Sequence, residues 1–371
     1  MSTLRLLHAA DLHLDSPFEG LPAGKAAIRR KEQRELLDAL AKLAAAERVN
    51  LVLLSGDLLD SGTPYFETGE ELIRALRSIP AAVFLAPGNH DYYSPQSPYA
   101  RLQLPENVHV FTEHTIRCFS LPGLNARVYG AAFTENRSEP LLRGFRAERK
   151  EGLINLLCLH GDFGVKDSPY NPIREEDLSQ SGIDYAALGH QHRSSGLKRA
   201  GNTWYSWPGC PEGRGFDETG EKYVHLVELE NGQCRLKPVS IASRRYEILP
   251  VDVTGTDPLL AIHSSLPDDT VRDIYRIVLT GETESAPDLK RLHANLSELF
   301  FELQLRDETR LRHSVWECAG EDTLRGLFLG RLKARYDKAA TEEERRKLEQ
   351  AARWGLAALD HGEEVAQHGD S

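Results

Sequence analysis

Along the first 240 or so residues, short apolar runs alternate with polar clusters rich in Asp, His and Gly. LRLLHAA (4–10) leads into DLHLD, NLVLLS (50–55) into GDLLD and AAVFLA (81–86) into PGNHD. INLLCL (154–159) leads into HGDFG, and IDYAAL (183–188) into GHQHRSS. Continuous runs of four to seven apolar residues closed by Gly or Pro predict strands buried on both faces. Between the first two strands, KAAIRRKEQRELLDALAKLAAAERV carries apolar positions at helical spacing among strong helix formers. FETGEELIRALRSI does the same between the second and third. Strand, helix, strand, helix, strand predicts an α/β layered sheet. In such sheets sites form where loops leave the carboxyl ends of strands, so all five polar clusters are expected on one edge.

Near residue 245 the pattern changes. RYEILPVDV, DPLLAIHSSL, RDIYRIVLTG, DLKRLHANLSEL and FFELQLRD alternate strand-like and helix-like segments on a smaller scale. A first domain is therefore expected over residues 1–245 and a small α+β domain over 246–312. A helical region follows over 313–360, and 361–371 reads as a disordered tail. Within the helical region Thr341 and Glu344 form a capping box. Behind them Leu348, Ala352, Leu356 and Leu359 make a stripe suited to packing or docking, with Trp354 nearby.

The 371 residues are 40% hydrophobic and 27% charged, as in ordinary soluble domains. A net charge of −11 argues against coating nucleic acid through bulk charge, but leaves room for an enzyme that grips phosphates through metal ions and a few arginines. Cys118, Cys158, Cys210, Cys234 and Cys318 are scattered without a CxxC pair, which predicts reduced thiols buried as small hydrophobes. With no signal-peptide pattern in MSTLRLLHAADLHLD and no membrane-length apolar run, a cytoplasmic protein is expected.

The polar clusters offer ligands for a pair of divalent metals. Two ions held close together need several O and N donors and a carboxylate shared between them. The chain supplies Asp11 and His13 in DLH, Asp57 in GDLLD, Asn89 in GNHD, His160 in HGD, and His190 and His192 in GHQH. Each fragment alone has a bland reading: a chance DxH, an Asx turn, a solvated histidine. Five fragments, each following a strand, do not. His8, inside the first strand, reads as a hydrogen-bonded core histidine instead.

DLH…GDLLD…GNHD…HGD…GHQH resembles, in order, the five motifs of the calcineurin-like metallophosphoesterase superfamily over residues 4–195. The resemblance implies a four-layer αββα sandwich of two mixed sheets. It implies that one metal takes Asp11, His13, Asp57 and His192, and the other Asp57, Asn89, His160 and His190, with Asp57 bridging. Manganese is the metal it implies first, with magnesium, iron or nickel as substitutes. His90 is then the group that serves the leaving alkoxide, and Asp60 resembles its partner carboxylate.

Ser61 and Gly62 stand where the protein phosphatases of the superfamily have an arginine. DLHLDSPFEGL, the length, and WYSWPGCPEGRGFDETGEKYVHLVEL (204–229) look instead like the SbcD-type DNA repair nucleases, in particular their YhaO-like branch. Those nucleases usually carry glycine where this chain has Asp15. This resemblance implies a Mn-dependent DNA exonuclease, also an endonuclease. It further implies an SbcC-like coiled-coil ATPase partner docked on the C-terminal helix, and a homodimer. Arg193, Arg214 and Arg30 are the cations expected to face DNA, with Lys25, Arg29, Lys31 and Arg34 as a further charged run. Two other readings stand beside it: a phosphodiesterase for cyclic or other small nucleotides, and a non-catalytic DNA-end-binding protein within an SMC-like ATPase complex.

Overall fold

The computed structural model describes residues 3–311 and 315–365. It opens with four strands separated by helices: β1 (Leu4–Ala9), α1 (Ala23–Ala46), β2 (Leu51–Leu54), α2 (Phe66–Ser78), β3 (Ala82–Leu85), α3 (Pro98–Arg101) and β4 (Val108–Val110). A second series follows, with β5 (Arg117–Leu121), β6 (Ala126–Gly130), β7 (Ile154–His160), α4 (Glu175–Gln180), β8 (Tyr185–Gly189), β9 (Lys198–Ala200) and β10 (Thr203–Ser206). The chain then returns through β11 (Val224–Glu230) and β12 (Gln233–Val239).

One six-stranded sheet has the order β12-β11-β1-β2-β3-β4 and the other β5-β6-β7-β8-β10-β9. Both are mixed. β1, β2, β3 and β4 run parallel while β11 and β12 are antiparallel. β6, β7, β8 and β10 run parallel with antiparallel β5 and β9 at the edges.

Alternation along the strands decides the layers. Leu7, Val52, Leu54, Val83 and Leu85 face Leu37, Leu40 and Ala44 of α1 and Leu72 and Leu76 of α2. Their neighbours Leu6, Leu51, Leu53 and Phe84 pack instead against Val128, Leu156, Cys158, Tyr185 and Ala187 of the other sheet. On the far side of that sheet, Leu157, Leu159, Ala186 and Leu188 are covered by Leu142, Ile173 and Leu178. The result is the αββα sandwich, and it explains why the central strands read as unbroken apolar runs.

The rest of the chain contains β13 (Tyr246–Asp252), α5 (Pro258–Ser265), β14 (Ile274–Thr280), β15 (Glu282–Thr283), α6 (Leu289–Leu296), β16 (Glu302–Asp307), β17 (Arg310–Leu311), α7 (Leu324–Tyr336) and α8 (Glu342–Val365). Two compact units result. The first holds the described residues up to Leu249, with Pro267–Ile277 and His293–Gln304. The second holds Pro250–Leu266, Val278–Leu292 and the described residues from Leu305 on.

The Glu344 N–H donates to Thr341 Oγ1 at 3.2 Å, which is one half of the capping box. Ala352 and Leu356 of the apolar stripe pack with Val315, Phe328, Leu329 and Leu332. Leu324, Leu327 and Trp354 stay exposed. Of the segment expected to be a disordered tail, 361–365 continues α8, and 366–371 lies outside the described residues.

All five cysteines are free. Cys158, Cys210 and Cys234 are buried as expected, whereas Cys318 is half-buried and Cys118 is exposed because β5 is an edge strand.

Candidate metal centre

The loops after β1 and β2 are zipped together beyond the strands themselves. Asp11 N–H donates to Gly56 O at 3.0 Å, His13 N–H to Asp57 O at 3.0 Å and Leu14 N–H to Leu58 O at 2.8 Å. Following this path turns Asp11 (φ 55°), His13 (φ 45°) and Asp57 (φ 50°) into the left-handed region, and His190 (φ 94°), just after β8, lies there too. Such backbone costs free energy for any residue with a Cβ and persists where surrounding structure enforces it, typically at functional sites.

The side chains of all seven expected ligands meet in one place. Asp11, His13 and His192 can present ligand atoms to one point, as can Asp57, His160 and His190. A third grouping, His13, Asp57 and His90, overlaps both. His160 Nε2 lies 3.3 Å from Asp57 Oδ2, 3.1 Å from Asn89 Oδ1 and 3.3 Å from His190 Nδ1. His13 Nε2 lies 3.2 Å from His192 Nε2 and 3.8 Å from Asp57 Oδ2.

Hydrogen bonding on the outer side of each ring assigns the protons. His13 Nδ1–H donates to Asp60 Oδ1 at 3.0 Å, His192 Nδ1–H to Glu218 Oε1 at 2.7 Å, and His160 Nδ1–H to Ser55 O at 2.8 Å. Their Nε2 atoms therefore present lone pairs inward, toward carboxylate oxygens and one another. Donors this close repel unless a cation lies among them, so the residues fit two adjacent divalent metals of the oxygen- and imidazole-binding kind. The protein's own response to the same field is protonation. Burial opposes a charge on His160, but the Asp57 carboxylate outweighs it and raises the imidazole to about 9. Burial likewise opposes ionisation of Asp57, and the surrounding histidines, His160 first, hold it well below the usual carboxylate range.

Asp91 occupies the centre of the loop architecture. Its carboxylate accepts from Gly88 N–H (2.7 Å), Asp57 N–H (3.2 Å), Leu58 N–H (2.8 Å), Leu59 N–H (3.2 Å) and the Tyr99 hydroxyl. Burial, then the nearby Asp57 charge, push its pKa up despite these donors. One buried acceptor thus ties the loop carrying Asp57 to the loop carrying Asn89. The two loops approach so closely that a Cβ on Gly88 would sit 2.2 Å from Asp57 Oδ1.

His90 is half exposed, with its ring edge-on to His13 at 4.8 Å between centroids. Its backbone N–H donates to Asp57 Oδ1 at 3.0 Å. Asp60 meets it differently from expectation: the backbone carbonyl lies 3.2 Å from Nδ1, whereas the carboxylate stands 3.9 Å away and bonds His13 instead. That difference follows from the left-handed turn at His13, which brings its ring against Asp60.

Among the expected DNA-facing cations, Arg193 is exposed beside His192. Arg214 is spent within the site, donating to Glu218 Oε1 (2.7 Å) and Asp60 Oδ1 (3.2 Å). Arg30 donates to Pro17 O at 3.2 Å. The rest of the α1 run is drawn into ion pairs: Lys25 with Glu302, Arg29 with Glu32 and Glu212, Lys31 with Glu35, and Arg34 with Glu71. Asp15 shows how this chain departs from a glycine: at φ 71° it adopts a glycine-like conformation, and its carboxylate binds Tyr65 N–H and Thr68 Oγ1. His8 is a core residue, bonded to Tyr185 Oη and Leu188 O. The role of Glu218 is not visible in the sequence. It lies in the 204–229 stretch, but nothing local marks it as facing a histidine 26 positions earlier.

This architecture and donor set are those of a dinuclear phosphoesterase. A family profile described as calcineurin-like phosphoesterase matches residues 4–194, and the chain belongs to that family. It is a metal-dependent phosphoesterase, a hydrolase. The chain is 30% identical to the "uncharacterized metallophosphoesterase YhaO" of Bacillus subtilis (strain 168), over 87% of this chain and 82% of that protein. It is 33% identical to the SbcD component of the SbcCD nuclease of Rhodobacter capsulatus, over 71% of this chain and 75% of that protein. It is also 23% identical to the "DNA double-strand break repair protein Mre11" of Saccharolobus solfataricus, over 75% and 76%. Among the described residues, no helix is long and apolar enough to cross a membrane.

Proposed function

We propose that this protein is a manganese-dependent DNA phosphodiesterase, an exonuclease with endonuclease activity that serves DNA repair. The observation that carries the reading is the meeting of five strand-end loops around Asp57 in a chain similar to nuclease components. One cation would be held by Asp11, His13, Asp57 and His192 and the other by Asp57, Asn89, His160 and His190. Carboxylate, imidazole and amide donors without thiolate suit manganese, with magnesium, iron or nickel as substitutes. When bound, the pair supplies Lewis-acid activation of water and neutralises the phosphate oxygens.

The remaining chemistry belongs to the chain. His90 hands a proton to the leaving alkoxide. In the imidazolium form its Nδ1–H is committed to the Asp60 carbonyl, and the proton that passes to the alkoxide is the one on Nε2. Asp91 keeps the two loops in register, and exposed Arg193 meets a phosphate next to the scissile one. The reading includes a cytoplasmic setting, homodimers, and an SbcC-like coiled-coil ATPase engaging α7 and α8, where Leu324, Leu327 and Trp354 are uncovered.

The test is hydrolysis of end-labelled single- and double-stranded oligonucleotides with Mn²⁺, Mg²⁺ or chelator, beside a cyclic nucleotide. Mn²⁺-dependent shortening of DNA that disappears in Asp57→Ala is the expected result. Turnover of the cyclic nucleotide with DNA left intact would replace this reading with the small-molecule one, and no hydrolysis of either would favour the non-catalytic one.

A further inference from the structure

Behind His13 and His192 the structure carries a chain of three charged side chains, Asp60, Arg214 and Glu218. His13 Nδ1 bonds Asp60 Oδ1 (3.0 Å), which also accepts from Arg214 Nη1 (3.2 Å). Arg214 Nη2 donates to Glu218 Oε1 (2.7 Å), which accepts the Nδ1 proton of His192 (2.7 Å). The Arg214 backbone N–H adds a bond to Glu218 Oε2 at 2.8 Å, so the carboxylate is held at both oxygens. Glu218 is buried, and the Arg214 side chain is only 22% exposed. A charged group so enclosed is costly unless fully partnered, and here the guanidinium bridges two carboxylates.

The consequence is selective. His13 and His192 share a donor group with Asp11, whereas His160, grouped with Asp57 and His190, is oriented by the Ser55 backbone carbonyl, which no side-chain substitution removes. We infer that Glu218, directly on His192, and Arg214, through Asp60 on His13 and through Glu218 on His192, are positioning residues for one metal only, the one that His13 and His192 share. They hold both rings as the Nδ1–H tautomer with Nε2 aimed inward. This inference rests on the two-metal reading above and concerns ligand order, not the identity of the substrate.

Mn²⁺ titration of the metal-free full chain, followed by calorimetry and by electron paramagnetic resonance of free Mn²⁺, tests it. Wild type is expected to bind two equivalents. Glu218→Ala and Arg214→Ala should each weaken one equivalent about 10–100-fold and leave the other unchanged, as expected when an orienting partner of a ligand is lost. Glu218→Asp should recover part of the loss. His192→Ala should remove the same equivalent, and adding Glu218→Ala to it should cause no further change. Glu212→Ala breaks a different buried ion pair, with Arg29 in the same unit, and should leave both affinities as they are. Equal weakening of both equivalents, an effect as large from Glu212→Ala, or none from Glu218→Ala would overturn the inference while leaving two-metal hydrolysis standing. A wild-type protein that takes up no second Mn²⁺ would overturn both.

Discussion

Replacing Asp91 by Asn keeps the shape of the side chain and removes one acceptor oxygen. Oδ1 accepts from two backbone N–H groups, of Gly88 and Asp57, and Oδ2 from those of Leu58 and Leu59 together with the Tyr99 hydroxyl. Whichever way the amide is turned, its NH₂ must face at least two donors. Hydrogen bonds to a charged acceptor contribute roughly 1.5–3 kcal/mol each, so losing two costs about 3–6 kcal/mol before any repulsion between donors. Removing a buried charge beside Asp57 offsets part of this, because burial and Asp57 already push the Asp91 carboxyl up. A net loss of about 3 kcal/mol is expected. Urea denaturation of the metal-free protein, read from Trp204 and Trp207 in the first unit, measures it. The variant should also bind Mn²⁺ more weakly at both positions, since Asp57 and Asn89 sit on the loops that Asp91 joins. A loss below about 1 kcal/mol with wild-type Mn²⁺ affinity would refute the view that one carboxylate organises both loops.

Other perturbations probe the same network. In Gly88→Ala the added methyl would lie 2.2 Å from Asp57 Oδ1 and 2.8 Å from its backbone nitrogen, so the purified variant should contain little metal by elemental analysis. His90→Ala should keep both Mn²⁺ equivalents while turnover falls about 10²–10⁴-fold, the usual contribution of a positioned acid; loss of metal instead would make His90 a ligand. Burial pushes His225 down to about 4, and burial together with His225 lowers His8, so both are neutral in the folded protein. A depressed histidine contributes stability that is whole above its unfolded value near 6.5 and is lost as pH falls toward 4. His225 alone should therefore cost about 2 kcal/mol at pH 5 relative to pH 7. Denaturation midpoints across that range should fall, and less steeply in His225→Gln.

Much of the first unit is visible in the chain itself because each signal is local. A strand buried on both faces must be apolar at every position, so LVLL and YAALG announce themselves whatever packs against them. The helix over 66–79 starts and stops within a residue of α2, since its amphipathic spacing is set by the turn of the helix alone. The seven candidate ligands were legible for a related reason: each belongs to a short polar cluster that interrupts an apolar run at a strand end. Parallel pairing then forces such clusters to one edge.

Partnership was not legible. Asp60 serves His13 with its carboxylate and His90 with its carbonyl, a choice decided by left-handed turns that no residue type specifies. Arg214 looked like a free cation near the site until Glu218 and Asp60 closed on it, and the basic run of α1 dissolved into ion pairs for the same reason. The polar clusters by themselves determined which side chains could bind metal. Only the packing of the two sheets decided which of them touch and which proton each ring keeps. A hydrogen bond depends on ångström-scale placement of atoms distant in the chain, while periodicity reports only which face of an element is buried.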